Sequence, residues 1–573
     1  LLFKSSGWVE QDGLTYLELT YQPATAKPVP LEKLSLEFPL SPEEAECLVC
    51  LGSGGNYASR TTMILPGEKT GTLWTTLDTG KNGSRMVLGN FYPCVWLGNE
   101  QRGLLWWADS DRGWVPQDGI PAHEVTREGN EIVLRNNIIG SGFLLEKPRT
   151  IIFSYMASPF RPLVKGWRAS IWSADGTFEG PNKEVRDPRT KEKIVDGWNW
   201  LTPPSRDPQE WGKLWASYKK IADERIRKLQ PFDPSGARNG YGSTVHTSLP
   251  LHGYGWKSPD ESVTNYFAPD WEGDSWNKTE QDYFLWIAHR AFGEGGLRTI
   301  YWDIFFVTDF TALQTGLPYL LPDGRIQPGF NGFNLRRFMM RLYSLMEKHG
   351  LTPGSQVSHA TNCYCLVACP WMDAILDGEY HAITDDSGMD WVDGYPIERM
   401  RALSVAHNFG TVISWMNLIS IKDPIKKALA WRGFVDYPRL YDSWAGGGGY
   451  QRLPEPVLDW GINDEKVIFI PFWRNPYVSC QDKDILVSLW KLPDRVALMV
   501  FNYNREKTKD AVFTIDLDKL NLVPRLPWQE FIGVRDLVKD PKEPATKLLY
   551  YERTLQVPAL LPHTGRIIGL RRY

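Results

Sequence analysis

The segment LRTIYWDIFFVTD, residues 297–309, carries the strongest strand signal in the middle of the chain. Its β-branched and aromatic residues form a short apolar run, which predicts a buried β-strand. Asp303 interrupts this run beside Trp302, and a carboxylate there must be paired, hydrogen-bonded or placed at a strand end that faces a cleft. We expect Asp303 at the carboxyl end of a barrel strand, where it can react with or contact a substrate. The alternative is a structural Asp that caps the next loop or pairs with a buried Arg.

Strands and helices alternate on both sides of this segment. The predicted strands are 242–249, 297–306, 354–361, 372–380 and 411–417. The predicted helices are 280–296, 334–350, 401–410 and 425–434. This alternation predicts a central (β/α)8-type TIM barrel over residues 236–476, which the region 459–476 would complete.

The two ends of the chain have a different pattern. Residues 1–168 contain short aromatic-rich strands at 14–22, 85–98, 103–111, 131–139 and 149–159. Residues 477–573 repeat the pattern at 484–492, 495–504, 510–517, 546–558 and 564–571. Each end therefore predicts a β-sandwich, and residues 169–235 predict a linker with one docking helix near 208–229. The fold class is a multidomain protein that combines α/β with all-β parts.

Length and charge limit the classes of protein to which this chain can belong. A chain of 573 residues exceeds one ordinary core, and a net charge of -4 with no basic cluster argues against nucleic acid or an anionic membrane as partner. No apolar run reaches about 18 residues, so no membrane span is predicted. The start, LLFKSSGWVEQDG, lacks the basic residues and long apolar core of a signal peptide. A secreted or periplasmic location stays open, with a leader outside this sequence, and the oligomeric state is not predicted.

The chain is rich in tryptophan, with 26 in total. Indole rings stack on the apolar faces of pyranose sugars, and they also fill the cores of large β-rich proteins. The hairpin EQRGLLWWADSDRGW, residues 100–114, could therefore form a wall of a substrate cleft or pack against the next domain. We favour packing.

The seven cysteines are too few for a disulfide framework. Cys47 and Cys50 form one C-x2-C pair, and CYCLVAC at 363–369 has the spacing C-x-C-x3-C. A closed zinc site needs two such halves close together, whereas these groups fall in different predicted domains. We predict buried free thiols, and we expect neither a metal nor a cofactor.

Cleavage of a glycosidic bond needs two carboxyl groups, one to protonate the leaving oxygen and one to attack the anomeric carbon or activate water. Asp303 and Glu379 are the predicted catalytic pair, because both end predicted barrel strands. Partial burial of Glu379 after its Ala-Ile-Leu run would favour the protonated form that a general acid needs, whereas an ion pair with a barrel Arg is the structural alternative. The predicted substrate-binding residues are Trp271, Trp302, His359, Asn362, Asp377, Tyr380, His381, Trp415 and Asn417.

Three segments resemble glycoside hydrolase family 123 and its uncharacterised relatives. They are WLGNEQRGLLWWADSDRGW (96–114), FSYMASPFRPLVKGWR (153–168) and LPDGRIQPGFNGFNLRRFMMRLYSLM (321–346). The resemblance implies the order β-sandwich, barrel, β-sandwich and a β-N-acetylgalactosaminidase activity. It also implies retention assisted by the acetamido group of the sugar, with adjacent Asp and Glu at a strand end. In that arrangement the Glu is the acid/base and the Asp steadies the acetamido group.

The catalytic pair of that family has no clear counterpart here. Ile304 follows Asp303, and Glu379 belongs to an Asp-Gly-Glu sequence. The adjacent Asp-Glu pairs that do exist do not fall at convincing strand ends: Asp223–Glu224, Asp260–Glu261 and Asp464–Glu465. Direct displacement by Asp303, with Glu379 as acid/base, therefore stays open beside the acetamido-assisted route.

These patterns predict a glycoside hydrolase that acts on an oligo- or polysaccharide. The missing Asp-Glu pair leaves a second hypothesis, a non-catalytic carbohydrate-binding protein on a degenerate hydrolase scaffold. A polysaccharide lyase with a Tyr or His base is the third.

Overall fold

A computed structural model gives the architecture of the chain. The structure describes residues 1–52, 60–79, 86–164, 166–168, 184–186, 193–196, 199–200, 213, 216, 244–248, 276–294, 299–303, 307–351, 356–359, 365–378, 382–385, 390–415, 418–445, 453–523 and 532–572. Contacts divide the chain into two compact units. Unit 1 comprises Leu1–Val164, Glu179–Tyr380 and Arg401–Val412, and unit 2 comprises Lys165–Phe178, His381–Met400 and Ile413–Tyr573.

Short antiparallel strands make up the first part of unit 1. They are β1 (Leu2–Val9), β2 (Thr15–Gln22), β3 (Val29–Leu31), β4 (Leu34–Leu40), β5 (Cys47–Leu51), β6 (Arg60–Ile64), β7 (Gly71–Thr75), β8 (Cys94–Gly98), β9 (Gly103–Trp107), β10 (His123–Glu128), β11 (Glu131–Ile139), β12 (Phe143–Leu145) and β13 (Arg149–Ser158). Seven form a sheet in the order β1-β2-β13-β9-β8-β5-β6, and four form a second in the order β4-β11-β10-β7. β3 and β12 form a separate pair.

The next strands are shorter. They are β14 (Glu184–Arg186), β15 (Lys193–Asp196), β16 (Asn199–Trp200), β17 (Thr244–Ser248), β18 (Thr299–Asp303), β19 (Asp309–Phe310), β20 (Tyr319–Leu320), β21 (Ile326–Gln327), β22 (Gly329–Phe330), β23 (Gln356–His359), β24 (Ala374–Asp377), β25 (Ala382–Thr384), β26 (Val412–Trp415), β27 (Leu418–Ser420) and β28 (Trp444–Ala445). In unit 1, β16, β17, β18, β23 and β24 run parallel, each beside the next. In unit 2, β25 pairs in parallel with β27, and β26 with β28.

The last strands form two antiparallel sheets of unit 2. They are β29 (Ile468–Ile470), β30 (Val478–Cys480), β31 (Ile485–Lys491), β32 (Arg495–Asn502), β33 (Lys509–Ile515), β34 (Ile532–Val538), β35 (Lys547–Leu549), β36 (Thr554–Leu560) and β37 (Gly565–Arg572). The orders are β29-β31-β32-β37-β34 and β30-β33-β36-β35. Alternate residues of both sheets share one hydrophobic cluster, including Leu489, Leu498 and Phe513, as the period of two of a strand requires.

The described helices are α1 (Lys278–Gly293), α2 (Gly332–Lys348), α3 (Trp391–Gly394), α4 (Ile397–Leu403), α5 (Pro424–Asp436) and α6 (Glu455–Asp459). Short 3-10 turns lie at Leu313–Thr315, Cys369–Trp371, Ser404–Phe409, Tyr437–Tyr441 and Phe472–Arg474. α2 buries Leu335, Phe338, Met339, Leu342 and Met346, one apolar face at the helical spacing. At the start of α5, Asp423 caps the helix because its carboxylate accepts the N–H groups of Ile425 at 2.8 Å and Lys426 at 3.2 Å. None of the described helices is long and apolar enough to cross a membrane.

The structure gives part of the predicted architecture. Adjacent parallel strands follow one another in unit 1, but a closed barrel with eight outer helices is not confirmed, since α1 and α2 are the only long helices described there. Within the region expected to complete the barrel, β29 pairs antiparallel with β31 instead. The predicted helix at 401–410 is α4 followed by a 3-10 turn that ends at Gly410, whose φ of 75° suits glycine. The predicted linker helix lies largely outside the described residues, and the predicted domain boundaries stay predictions.

The described cysteines are free thiols, as predicted. Cys47, Cys50, Cys94, Cys365 and Cys369 are buried, and Cys480 is partly exposed. Burial raises the pKa of the Cys369 thiol, which keeps it protonated and unreactive.

Candidate active site

Four parallel strands of unit 1 end together at one edge. Ser248 of β17 pairs with Asp303 of β18, and Trp302 of β18 pairs with Ser358 of β23. Asp303 and His359 therefore end neighbouring strands at the same level. His359 in turn pairs with Leu376, the residue before Asp377 in β24. Strands in a sheet lie about 4.8 Å apart, so the backbone of Asp303 lies roughly 10 Å from that of Asp377, two strands away.

The structure describes some of the predicted site residues and not others. It places Trp302, Asp303 and His359 by their backbone at this edge. The residues outside the described part of the chain are Trp271, Asn362, Glu379, Tyr380, His381 and Asn417. Only one member of the predicted catalytic pair is therefore located, and its assignment and that of Glu379 stay predictions.

Asp377 is fully buried at the end of β24. Its Oδ1 accepts the backbone N–H of Gly378 at 2.6 Å, and Gly378 has a φ of 108°, a conformation that suits glycine. The carboxylate therefore hydrogen-bonds the backbone directly after the strand.

Trp415 does not offer a stacking platform in this structure, in contrast to its predicted role. The indole is buried in unit 2, where its ring contacts Trp391 at 5.8 Å and Tyr395 at 5.1 Å between centroids. Its Nε1 donates to Ser443 Oγ at 3.0 Å. A sugar would need an exposed ring face, and the aromatic neighbours that bury this indole lie 20 or more residues away in the chain.

The tryptophan hairpin is buried within unit 1, and its predicted packing against a separate next domain stays a prediction. Trp106, Trp107 and Trp114 are buried, and the ring of Trp106 lies 4.8 Å from that of His123. The Trp107 indole also covers the start of α2, because a Cβ at Gly332 would lie 2.1 Å from its ring.

Two carboxyl groups that the sequence did not single out lie within this hairpin, directly after β9: Asp109 is partly buried and Asp111 is buried. Asp109 accepts Trp107 Nε1–H at 2.7 Å and the N–H of Phe333 at 2.9 Å, in the first turn of α2. Asp111 accepts Tyr319 O–H at 3.0 Å and Gln327 Nε2–H at 2.8 Å. Burial raises the pKa of Asp109 to about 7 and that of Asp111 to about 6.

These two acids accept hydrogen bonds from other segments of unit 1. All of the donors named above are protein groups, and Asp111 is almost entirely shielded from solvent. The segments 96–114 and 321–346, which carry the family resemblance, are therefore joined by these carboxylates. The signal in the sequence was two acids directly after a tryptophan-rich buried strand, but all of their partners except Trp107 lie more than 200 residues further along the chain.

One group of possible metal ligands occurs among the described residues, in unit 2. Asp390, Asp393 and His563 place ligand atoms within 4.8 Å of one another. Asp390 and Asp393 form a reciprocal capping box at the start of α3, and His563 Nδ1 hydrogen-bonds Asp390. Arg505 pairs with Asp393 at 3.5 Å. The carboxylates are already hydrogen-bonded and partly neutralised, so the group is a local charge network in the structure.

Comparisons with known proteins do not place the chain in a family. No family model matches, and no curated protein matches. Among solved structures, a glycoside hydrolase family 97 enzyme from Pseudoalteromonas sp. strain K8 in complex with acarbose is 9% identical, with 100% of this chain and 91% of that chain covered and a TM-score of 0.36. An α-N-acetylgalactosaminidase from Bifidobacterium bifidum is 10% identical, with 87% and 85% covered and a TM-score of 0.26.

A noncanonic maltogenic α-amylase from Thermotoga neapolitana is 11% identical, with 62% of this chain and 81% of that chain covered and a TM-score of 0.30. With TM-scores below 0.5, none of these three proteins establishes the fold or the activity of this chain. The resemblance to family 123 therefore remains an expectation from its three sequence segments.

Proposed function

We propose that this protein is a glycoside hydrolase whose acids sit at the carboxyl edge of the parallel strands of unit 1. The observation that carries the proposal is the shared ending of β18, β23 and β24, which brings Asp303, His359 and Asp377 to one edge. Barrel enzymes collect their reacting groups at this edge from several strands.

The order of the strands supports a barrel of the (β/α)8 type. In unit 1 each parallel strand lies beside the next one of the sheet in chain order, from β16 to β24. Doubly wound sheets reverse this order at a switch point, whereas barrels keep it around the ring. We therefore also propose that this barrel is preceded and followed in the chain by a β-sandwich.

The proposed chemistry needs one acid in each protonation state. Glu379 donates a proton to the leaving oxygen, while Asp303 attacks the anomeric carbon or activates water. In the covalent route the glycosyl–Asp303 bond forms as the glycosidic bond breaks, and water then releases the sugar after losing a proton to Glu379. The proposed partner is a carbohydrate, an oligo- or polysaccharide.

The stereochemistry of the product would separate the routes. A carboxyl separation of about 5–5.5 Å gives a covalent retaining enzyme, and roughly 6.5–9.5 Å leaves room for a water and gives inversion. The acetamido-assisted route also retains, but it requires a 2-acetamido sugar. Proton NMR of the first product, with and without that substituent on the substrate, would therefore identify the mechanism.

A screen with aryl glycosides and polysaccharides tests the activity. We expect hydrolysis of at least one substrate class, followed as released aryl alcohol or reducing ends. The absence of an adjacent Asp-Glu pair favours one competitor, a carbohydrate-binding protein without turnover. An oligosaccharide that binds in calorimetry but survives long incubation would support that competitor against the proposal. A product that absorbs as an unsaturated uronide would instead identify a lyase.

A further inference from the structure

The first strand of unit 1 is an exposed edge. Among the described strands β1 pairs only with β2, over eight successive residues without a bulge. It nevertheless carries large apolar side chains, with Leu2 41%, Phe3 48%, Trp8 49% and Val9 68% exposed. Natural proteins usually protect such edges with bulges, prolines or several charges, because an open apolar edge pairs with another strand. Lys4 is the single charge in β1.

The hydrogen bonds of the β1–β2 turn show which backbone groups face the open edge. The N–H of Glu10 donates to the carbonyl of Leu14 at 2.9 Å, and the carbonyl of Glu10 accepts the N–H of Gly13 at 2.9 Å, so both backbone groups of Glu10 face the β2 side. Hydrogen-bonded and non-bonded pairs alternate along an antiparallel ladder. Trp8, Ser6 and Lys4 therefore bond to β2. The residues between them, Phe3, Ser5, Gly7 and Val9, direct their N–H and carbonyl groups away from β2.

This edge is complementary to a second copy of itself. In an antiparallel pair centred on Ser5, the outward-facing residues meet each other: Ser5 opposite Ser5, and Phe3 opposite Gly7. Leu2 then lies opposite Trp8, and Leu1 opposite Val9, so apolar residues meet apolar residues on each face. Because glycine has no side chain, Gly7 leaves its face of the strand open opposite the ring of Phe3.

Other registers lose these contacts. If the partner strand slides by one residue, outward-facing residues meet residues that bond to β2, and the ladder of backbone hydrogen bonds is broken. A slide by two residues keeps the ladder and moves the centre to Ser6 or to Lys4. A shift of the centre to Ser6 places Leu2 opposite Glu10. A shift of the centre to Lys4 places the two Lys4 residues opposite each other and leaves Trp8 and Val9 without partners. Among these registers, only the centre at Ser5 pairs Leu2 with Trp8 and Leu1 with Val9.

We propose that β1 is a dimerisation strand, which pairs antiparallel with β1 of a second copy of this chain about a two-fold axis at Ser5. The seven-stranded sheet of one copy then continues into that of the other. The interface is isologous, as a two-fold axis requires.

Single cysteines test the register directly. Across the proposed axis the two Ser5 Cα atoms lie about 5.5 Å apart, within the range of a disulfide, whereas the two Ser6 Cα atoms lie roughly 8 Å apart. With oxidised glutathione as oxidant, two Ser5→Cys thiols form one disulfide, and the glutathione disulfide is reduced to two glutathione thiols. We expect a covalent dimer from Ser5→Cys and none from Ser6→Cys or the wild type. Equal cross-linking of both variants, or none of Ser5→Cys, would overturn the proposal.

Sedimentation equilibrium tests the non-covalent dimer. We expect the wild type to show twice the 65.5 kDa chain mass at micromolar concentrations. Ser5→Pro removes an outward-facing N–H and leaves the bonds to β2 in place, a position where an edge strand tolerates proline. This variant should sediment as a monomer with the circular dichroism of the wild type. Ser5→Lys, which places like charges opposite each other, should do the same. A wild-type monomer throughout, or dimers of both variants, would contradict the proposal.

Discussion

At the scale of single residues, His123 shows how burial decides charge. Its ring lies in the core of unit 1 among Phe91, Trp106 and Trp114. Nδ1 lies 2.7 Å from Asn136 Oδ1, and Nε2 lies 2.9 Å from the carbonyl oxygen of Tyr92. Burial lowers the pKa of His123 from its ordinary value of 6.5 to about 4, because the apolar rings disfavour the imidazolium. The side chain is therefore neutral in the folded protein at pH 7.

This lowered pKa gives a pH dependence of stability. Between pH 6.5 and pH 4 His123 binds a proton in the unfolded chain but not in the folded chain. The free energy of unfolding therefore falls as the pH falls. Each pH unit in this window costs up to about 1.4 kcal/mol. Urea unfolding at several pH values should show a smaller loss for His123→Phe than for the wild type. The acids Asp109 and Asp111 titrate in both proteins and cancel in this comparison. Equal pH slopes would contradict the lowered pKa.

At the scale of elements, a buried arginine ties the turn between β1 and β2 to helix α2. Arg336 donates to Glu10 Oε2 at 2.8 Å, to Asp12 at 2.6 Å and to the carbonyl of Val367 at 2.8 Å. Asp12 also accepts Trp371 Nε1–H at 3.0 Å and has no exposed side-chain surface. Removal of Arg336 alone is costly, because it leaves the buried carboxylate of Asp12 without its cation.

Two adjacent arginines of α2 offer a matched test of this pairing. Arg336 is buried, whereas Arg337 is exposed. Arg336→Met should lower the free energy of unfolding by about 3–5 kcal/mol, since Asp12 and Glu10 lose their counter-charge. Arg337→Met should stay within about 0.5 kcal/mol of the wild type. Chemical unfolding of both variants checks this, and a similar stability of the two would exclude a role for the buried pair.

Local pattern predicts elements well and their partners poorly. The strand at Thr15–Gln22 and the helix at Gly332–Lys348 match their predicted positions within two residues, because each shows its own periodicity. The contacts of Asp109 with the start of that helix, and the burial of Trp415, depend on residues far away in the chain. The same tryptophan pattern suits a core and a sugar platform, so only the structure could assign Trp415 to the core.

At the scale of the whole molecule, the predicted site depends on a long-range arrangement, the alignment of strand ends. The sequence places Asp303 and His359 each at the end of a predicted strand, and the structure brings these two ends side by side. The sequence could not show closure of a barrel, which depends on how the first and last strands meet. The role of Glu379 also stays a prediction, because it lies outside the described residues.

The central claim is that Asp303 takes part in the cleavage of a glycosidic bond, and the kinetics of one variant test it most directly. Asp303→Asn should lower kcat at least about 100-fold on the substrate that the screen identifies, with substrate binding retained, because the amide can neither attack nor take up a proton. Asp323→Asn, a change of an exposed Asp on the hairpin between β20 and β21, is the matched control and should keep the wild-type rate. A kcat of Asp303→Asn equal to that of Asp323→Asn would contradict the account.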